Sequence, residues 1–144
     1  MVVTDTSLSW RTAHLIALAA IEYAEARQLK VCVSVLDRHG YPLAQLRINN
    51  AAFPCTTISV NKAFTAVSFG FSTQDWTQRL EGNPHLLSSL SQQDRMVLFG
   101  GGIPVKFQDE TIGAIGVSGA SENQDVECAN AGIEAFLTLS EPAE

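Results

Sequence analysis

Two glycine-dense stretches in the last third of the chain constrain its fold more than any other feature. They are Phe99-Gly100-Gly101-Gly102-Ile103-Pro104-Val105 and Gly113-Ala114-Ile115-Gly116-Val117-Ser118-Gly119, followed closely by Gln124-Asp125. A glycine set among Ile and Val weakens a strand, because it removes a side chain and adds entropy to the unfolded chain. A strand keeps one where a second backbone or a ligand must approach closely. The two stretches therefore mark either a tight structural corner or the wall of a pocket.

The remainder supplies elements to pack around that corner. Ser7 to Gln28 is rich in helix formers, with Trp10, His14, Ala17, Ile21 and Ala24 on one stripe and Ala13, Ala17, Ala20 and Ala24 on a neighbouring all-small stripe, which is expected to pack closely over a sheet or across a subunit boundary. Lys30 to Leu36 alternates as a half-buried strand, Asp37-Arg38-His39-Gly40 turns, and Tyr41 to Ile48 returns as its hairpin partner. Asn49-Asn50 and Pro54 open a second helix that reaches Phe69 and stops at Gly70, and a short third begins at Ser72-Thr73-Gln74-Asp75 and ends near Gly82. Asn83 to Asp94 reads as a folded-back loop. Three strands are expected at Met96–Phe99, Ile103–Phe107 and Thr111–Ser118, and Ser121-Glu122-Asn123-Gln124 caps a closing helix with Val126, Ala129, Ile133, Phe136 and Leu137 on its apolar face. Hairpins at both ends of the strand order, with helices between, predict an α+β fold in α/β/α layers.

With 144 residues and neither linker nor repeat, the chain is expected to form one domain over 1–144, with its core in 8–137. Nine Lys and Arg against fifteen Asp and Glu give a net charge of −6, and the basic residues are scattered, which argues against nucleic acid and membrane surfaces as partners. The three cysteines, Cys32, Cys55 and Cys128, form no Cys-x-x-Cys pair and signal neither a disulfide framework nor a zinc site. The first residues lack a basic segment leading into an apolar run, so a cytoplasmic protein is expected.

Few residues stand out chemically. Lys62 lies mid-helix among small and apolar residues, where an ammonium needs a carboxylate, a carbonyl cluster or an anionic ligand; pairing with Asp37 or Asp125, snorkelling to solvent, and anchoring a ligand carboxylate are the alternatives. Gly100, Gly101 and Gly102 either present backbone N–H groups to an anion or carbonyl oxygen, with Phe99 as a further binding candidate, or form a plain turn with a bulge. Ser118 either contacts a ligand or starts the next turn. Of the three histidines, His14 falls on the apolar stripe of the first helix, His39 in an exposed turn, and His85 in the loop before the triple glycine. No Gly-x-Ser-x-Gly elbow, His-Glu-x-x-His or Cys-x-x-Cys-His motif is present, which argues against the classical hydrolase and zinc-enzyme readings and leaves a cysteine-haem link unsupported.

The order Phe-Gly-Gly-Gly-Ile-Pro, Gly-Ala-Ile-Gly-Val-Ser-Gly and Gln-Asp resembles the GlcG/HbpS family, which includes the C-terminal domain of PduO proteins and stand-alone relatives from glycerol and propanediol operons. The resemblance runs from about Leu8 to Leu137. It implies a profilin-like five-stranded antiparallel sheet flanked by helices, haem as the ligand, and a homo-oligomer, whether dimer, tetramer or octamer. It also places a lysine at Lys62, which would then face a haem propionate, with His85 or His14 as candidates for the iron. Gly82-Asn83-Pro84-His85-Leu86 departs from the family pattern of Pro-Gly followed by Tyr-Gly. Two other functions compete: a small-metabolite isomerase or lyase using Lys62 and the Gly100–Gly102 backbone, and a non-catalytic assembly subunit.

Overall fold

The computed structural model describes residues 1–140. The elements in order are α1 (Trp10–Ala26), β1 (Cys32–Asp37), β2 (Pro42–Arg47), α2 (Pro54–Phe69), a 3-10 turn (Thr73–Asp75), α3 (Trp76–Arg79), α4 (Pro84–Ser91), β3 (Gly102–Phe107), β4 (Glu110–Ser118) and α5 (Glu122–Ser140). The strands make one four-stranded antiparallel sheet in the order β2-β1-β4-β3. Helices α1 and α5 cover one face and α2 the other, so the α+β, three-layer expectation holds.

The two faces differ in chemistry. Val33 and Val35 pair with Val117 and Ile115 across β1 and β4 and, with Val31, Ile16, Ala129 and Phe136, build the large aliphatic core under α1 and α5. The α2 face is small and polar: Ser34, Ser59, Lys62, Thr65 and Thr73 are all fully buried there or beside it. On that face the glycines have their explanation. Gly102 and Gly116 pair across β3 and β4. A Cβ on Gly116 would run into the Ser59 carbonyl oxygen and lie 2.7 Å from the Ala63 nitrogen, and one on Gly102 would meet the Lys62 carbonyl. The floor is bare so that the backbone of α2 can lie directly on it.

Local signals behave as their chemistry dictates. Ser121 and Gln124 form the reciprocal capping box, each side chain accepting the other's backbone N–H at 3.2 and 3.1 Å. Gly70 closes α2 in the left-handed region, its N–H bonded to the Ala66 carbonyl at 2.8 Å. Asp37 accepts the His39 and Tyr41 N–H groups and so holds the first hairpin turn.

Four expectations need correction. The sheet has four strands, not five: Met96–Phe99 lies outside it, because the Val97 N–H is bonded to the Thr65 hydroxyl of α2 at 3.0 Å instead of to a strand. Asn83 to Asp94 is not a loop but contains α4, started by the Asn83 side chain accepting the Leu86 N–H and by Pro84 in the first turn. Ser72 makes no side-chain cap, and the chain passes from it into a 3-10 turn and then a single turn of α-helix. The buried side of α1 is Ala13, Ile16, Ala17, Ala20 and Ala24, while Trp10 and His14 face solvent. The small-residue stripe is thus closed by the chain itself, where Gly132 of α5 brings that helix against the Ile16 backbone, and it offers no surface to a second subunit.

Candidate functional site

Lys62 sits on α2 directly above the glycine corner and is completely buried. Its Nζ donates to the Val117 carbonyl at 2.8 Å and to Asp125 Oδ2 at 3.0 Å, and stands 4.8 Å from the centre of the Phe99 ring. Of the carboxylates the sequence offered it, the fold selects Asp125, near the start of α5. Burial pushes the Asp125 carboxyl above its ordinary value, opposed by the Lys62 ammonium and by the Ala120 N–H, which bonds Oδ1 at 2.9 Å. One carboxylate therefore both ties the β4–α5 turn and neutralises the only cation in this interior layer of the described residues.

The triple glycine wraps this pair. Gly101 has φ +128, and a Cβ there would fall 2.7 Å from Lys62 Nζ and 2.5 Å from the Val117 carbonyl oxygen. Only glycine allows both that backbone and that approach. The N–H groups expected to face an anion have partners within the chain: Gly100 N–H donates to Glu122 Oε1 at 2.8 Å and Gly102 N–H to Thr73 Oγ1 at 2.9 Å. Gly101 contributes its carbonyl to Val117 N–H at 2.9 Å. Chemically the arrangement is a filled, charge-balanced clasp joining α2, β4 and α5.

The structure brings Lys62, Phe99 and Gly100–Gly102 together and leaves the other candidates apart. Ser118 ends β4 opposite Cys32, buried next to the carbonyl that receives Lys62. His85 is exposed in the first turn of α4, and His14 is exposed on the outer side of α1. His39 lies in its turn, 3.8 Å from Asp5. Sequence reasoning missed Thr73 and Glu122, whose side chains satisfy the glycine backbone; a polar residue at each helix start was the available signal, but nothing local tied it to residues far along the chain. Gln74 was also missed: its buried Oε1 has no hydrogen-bond partner, and its Cβ lies beside Gly100.

Surface grooves lie away from the clasp. One of about 370 Å³ runs beside β3 among Phe71, Ile103, Pro104, Ile133 and Phe136, with Lys106 and Asp75 also in its lining. Another of about 320 Å³ lies between α3 and α4 and is lined by Trp76, Leu80, Leu87 and Leu98, with Thr77 and Glu81 as its polar members. Exposed Leu86, Leu87 and Phe99 make that end of the molecule apolar on its outside. No helix among the described residues is long and apolar enough to cross a membrane. Nor do three or more His, Cys, Asp or Glu side chains among them gather as a metal site.

Comparison with known proteins agrees with the glycine motifs. The Klebsiella pneumoniae protein ORFY has a crystal structure that superposes with a TM-score of 0.89 at 32% identity, covering 96% of this chain and 97% of that one. The PduOC:heme complex superposes at 0.82 with 31% identity, covering 90% and 95%, and Streptomyces reticuli HbpS, as a double mutant, at 0.84 with 33% identity, covering 92% and 89%. In sequence, the corrinoid adenosyltransferase PduO of Salmonella typhimurium is 32% identical over 134 residues, 92% of this chain but 40% of that protein. An uncharacterized 15.0 kDa protein of the dhaT-dhaS intergenic region of Citrobacter freundii is 36% identical over 120 residues, covering 80% and 84%. The family model for haem degrading protein HbpS-like proteins matches residues 8–134, and the chain belongs to that family.

Proposed function

We propose that this protein binds haem at its surface, as a cytoplasmic homo-oligomer auxiliary to a catabolic pathway. The observation that carries the reading is the likeness, at 31% identity, to a relative whose structure is a heme complex and of which this chain covers 95%. The interior around Lys62 does not suit the group, because the ammonium is buried against Asp125 and Val117 and two of the three glycine N–H groups are bonded. The exterior suits it better. An apolar groove between α3 and α4 fits a hydrophobic macrocycle edge, and two exposed imidazoles, His85 and His14, are donors of the type that ligates haem iron. A groove of about 320 Å³ covers only part of a haem, so a second copy would have to cover the rest.

Titrating the purified protein with haemin should give a saturable Soret band at a defined stoichiometry. His85→Ala or His14→Ala should shift that spectrum, and a change in neither would reject histidine ligation. Failure to saturate at micromolar haemin would remove the haem reading altogether. Light scattering should return a mass above the monomer's 15.5 kDa, and a monomer at micromolar concentration would overturn the assembly claim.

A further inference from the structure

Cys32 and Cys55 take no part in the clasp. Their placement follows from how α2 lies on β1. Ser34 of β1 and Ser59 of α2 share a hydrogen bond of 2.8 Å between their hydroxyls. One step further along both elements, Leu36 and Ala63 meet in the small apolar cluster on the same face. Two strand residues advance about 6.6 Å and four helical residues about 6 Å, so the two elements run in the same direction with matched steps. One step back from Ser34 and Ser59 therefore sets Cys32 opposite Cys55.

The surroundings of the thiols agree with that register. Both are free and buried, Cys32 completely and Cys55 to 7% exposure. Burial pushes the Cys32 thiol up, and Cys55 adds to the rise as a like charge, while the Ser59 and Ser34 hydroxyls oppose it. Cys55 is the second residue of α2 and keeps the more exposed position of the two, so an oxidant reaches it first. Cys128 is different: it is fully buried in the core under α1 and α5, its thiol pushed up to about 11.

We propose that Cys32 and Cys55 are a redox pair, oxidised by a peroxide to an intramolecular disulfide that ties the first turn of α2 to β1. The Cys55 thiolate attacks one peroxide oxygen, the O–O bond breaks, and hydroxide leaves, so that the sulfur is oxidised to a sulfenic acid and the peroxide is reduced. The Cys32 thiol then attacks the sulfenic sulfur; the S–S bond forms, the S–O bond breaks, and the hydroxyl departs as water with the Cys32 proton. The disulfide clamps the helix that carries Lys62.

The test treats the reduced protein with hydrogen peroxide, counts thiols after denaturation and maps the peptides. Three titratable thiols should fall to one, with a single chain whose Cys32 and Cys55 peptides are linked, and dithiothreitol should restore all three. The melting temperature should rise by roughly 5–10 °C on oxidation. Cys32→Ser should form no disulfide and should instead label at Cys55 with dimedone, whereas Cys55→Ser should keep its two remaining thiols. Three thiols surviving in the wild type, a link through Cys128 or between chains, or thiol loss in Cys55→Ser would each overturn the proposal. The wild-type peptide map decides the matter even where a variant folds poorly.

Discussion

Lys62→Ala is expected to destabilise the protein by about 3–5 kcal/mol, because it leaves the Asp125 carboxylate buried without its cation. In urea this is a fall in the unfolding midpoint of roughly 2 M at an ordinary slope. Lys62→Met combined with Asp125→Leu should recover most of the loss, since removing both charges removes the unpaired one. Asp125→Ala alone should be about as damaging as Lys62→Ala and should also loosen the β4–α5 turn, because Ala120 N–H loses its acceptor. A Lys62→Ala protein with an unchanged midpoint and weakened haem binding would show instead that the ammonium serves a ligand. The double variant separates the two roles: restored stability with unaltered haem affinity is the result expected from a structural clasp.

Gly116→Ala is expected to cost about 3 kcal/mol, at the upper end of what overpacking does, although a methyl group is all that it adds. Its Cβ would collide with main-chain atoms of Ser59 and Ala63, which no rotamer change can move aside. Helix α2 would have to lift, and Lys62 would lift with it. Gly102→Ala faces the same obstacle from the Lys62 carbonyl and should behave alike. Gly82 is the control: its φ is +73, but nothing lies within 4 Å of an added Cβ, so Gly82→Ala should cost only about 1 kcal/mol of backbone strain. Thermal unfolding of the three variants would check the order, and a Gly116→Ala protein as stable as Gly82→Ala would refute the account of the glycine floor.

Much of the fold was legible because its signals are local. Alternation at Val31, Val33 and Val35 identifies a strand whatever surrounds it, and a serine three residues before a glutamine starts a helix through bonds within one turn. Phase on a helix is less secure. The first helix carries apolar residues on several sides, and α5 selected the alanine side, leaving Trp10 and His14 outside. The Met96–Phe99 segment has a strand's composition, yet Thr65 of α2 takes the N–H that a neighbouring strand would need. A serine-rich stretch after Asn83 looked irregular because serines alternate with its leucines in sequence, and only the helical turn gathers Leu86, Leu87 and Leu90 onto one side of a helix that buries none of them.

The candidate site divides along the same line. That glycines at 100–102, 113 and 116 must let something come close is written in the sequence, since only missing side chains can do that, and so is the need of Lys62 for an opposite charge or an acceptor. What comes close, and which acid answers, depended on where distant elements meet. The approaching backbone is α2 at Gly102 and Gly116, β1 at Gly113 and β4 at Gly101, and the acid is Asp125, 63 residues away, rather than Asp37. Hydrogen-bond partners for Gly100 and Gly102 arrive from Glu122 and Thr73 in the same manner. Residue spacing encodes the preferences of a few consecutive turns, whereas the choice among chemically equivalent partners is made by the packing of the whole chain, which alone sets the distances.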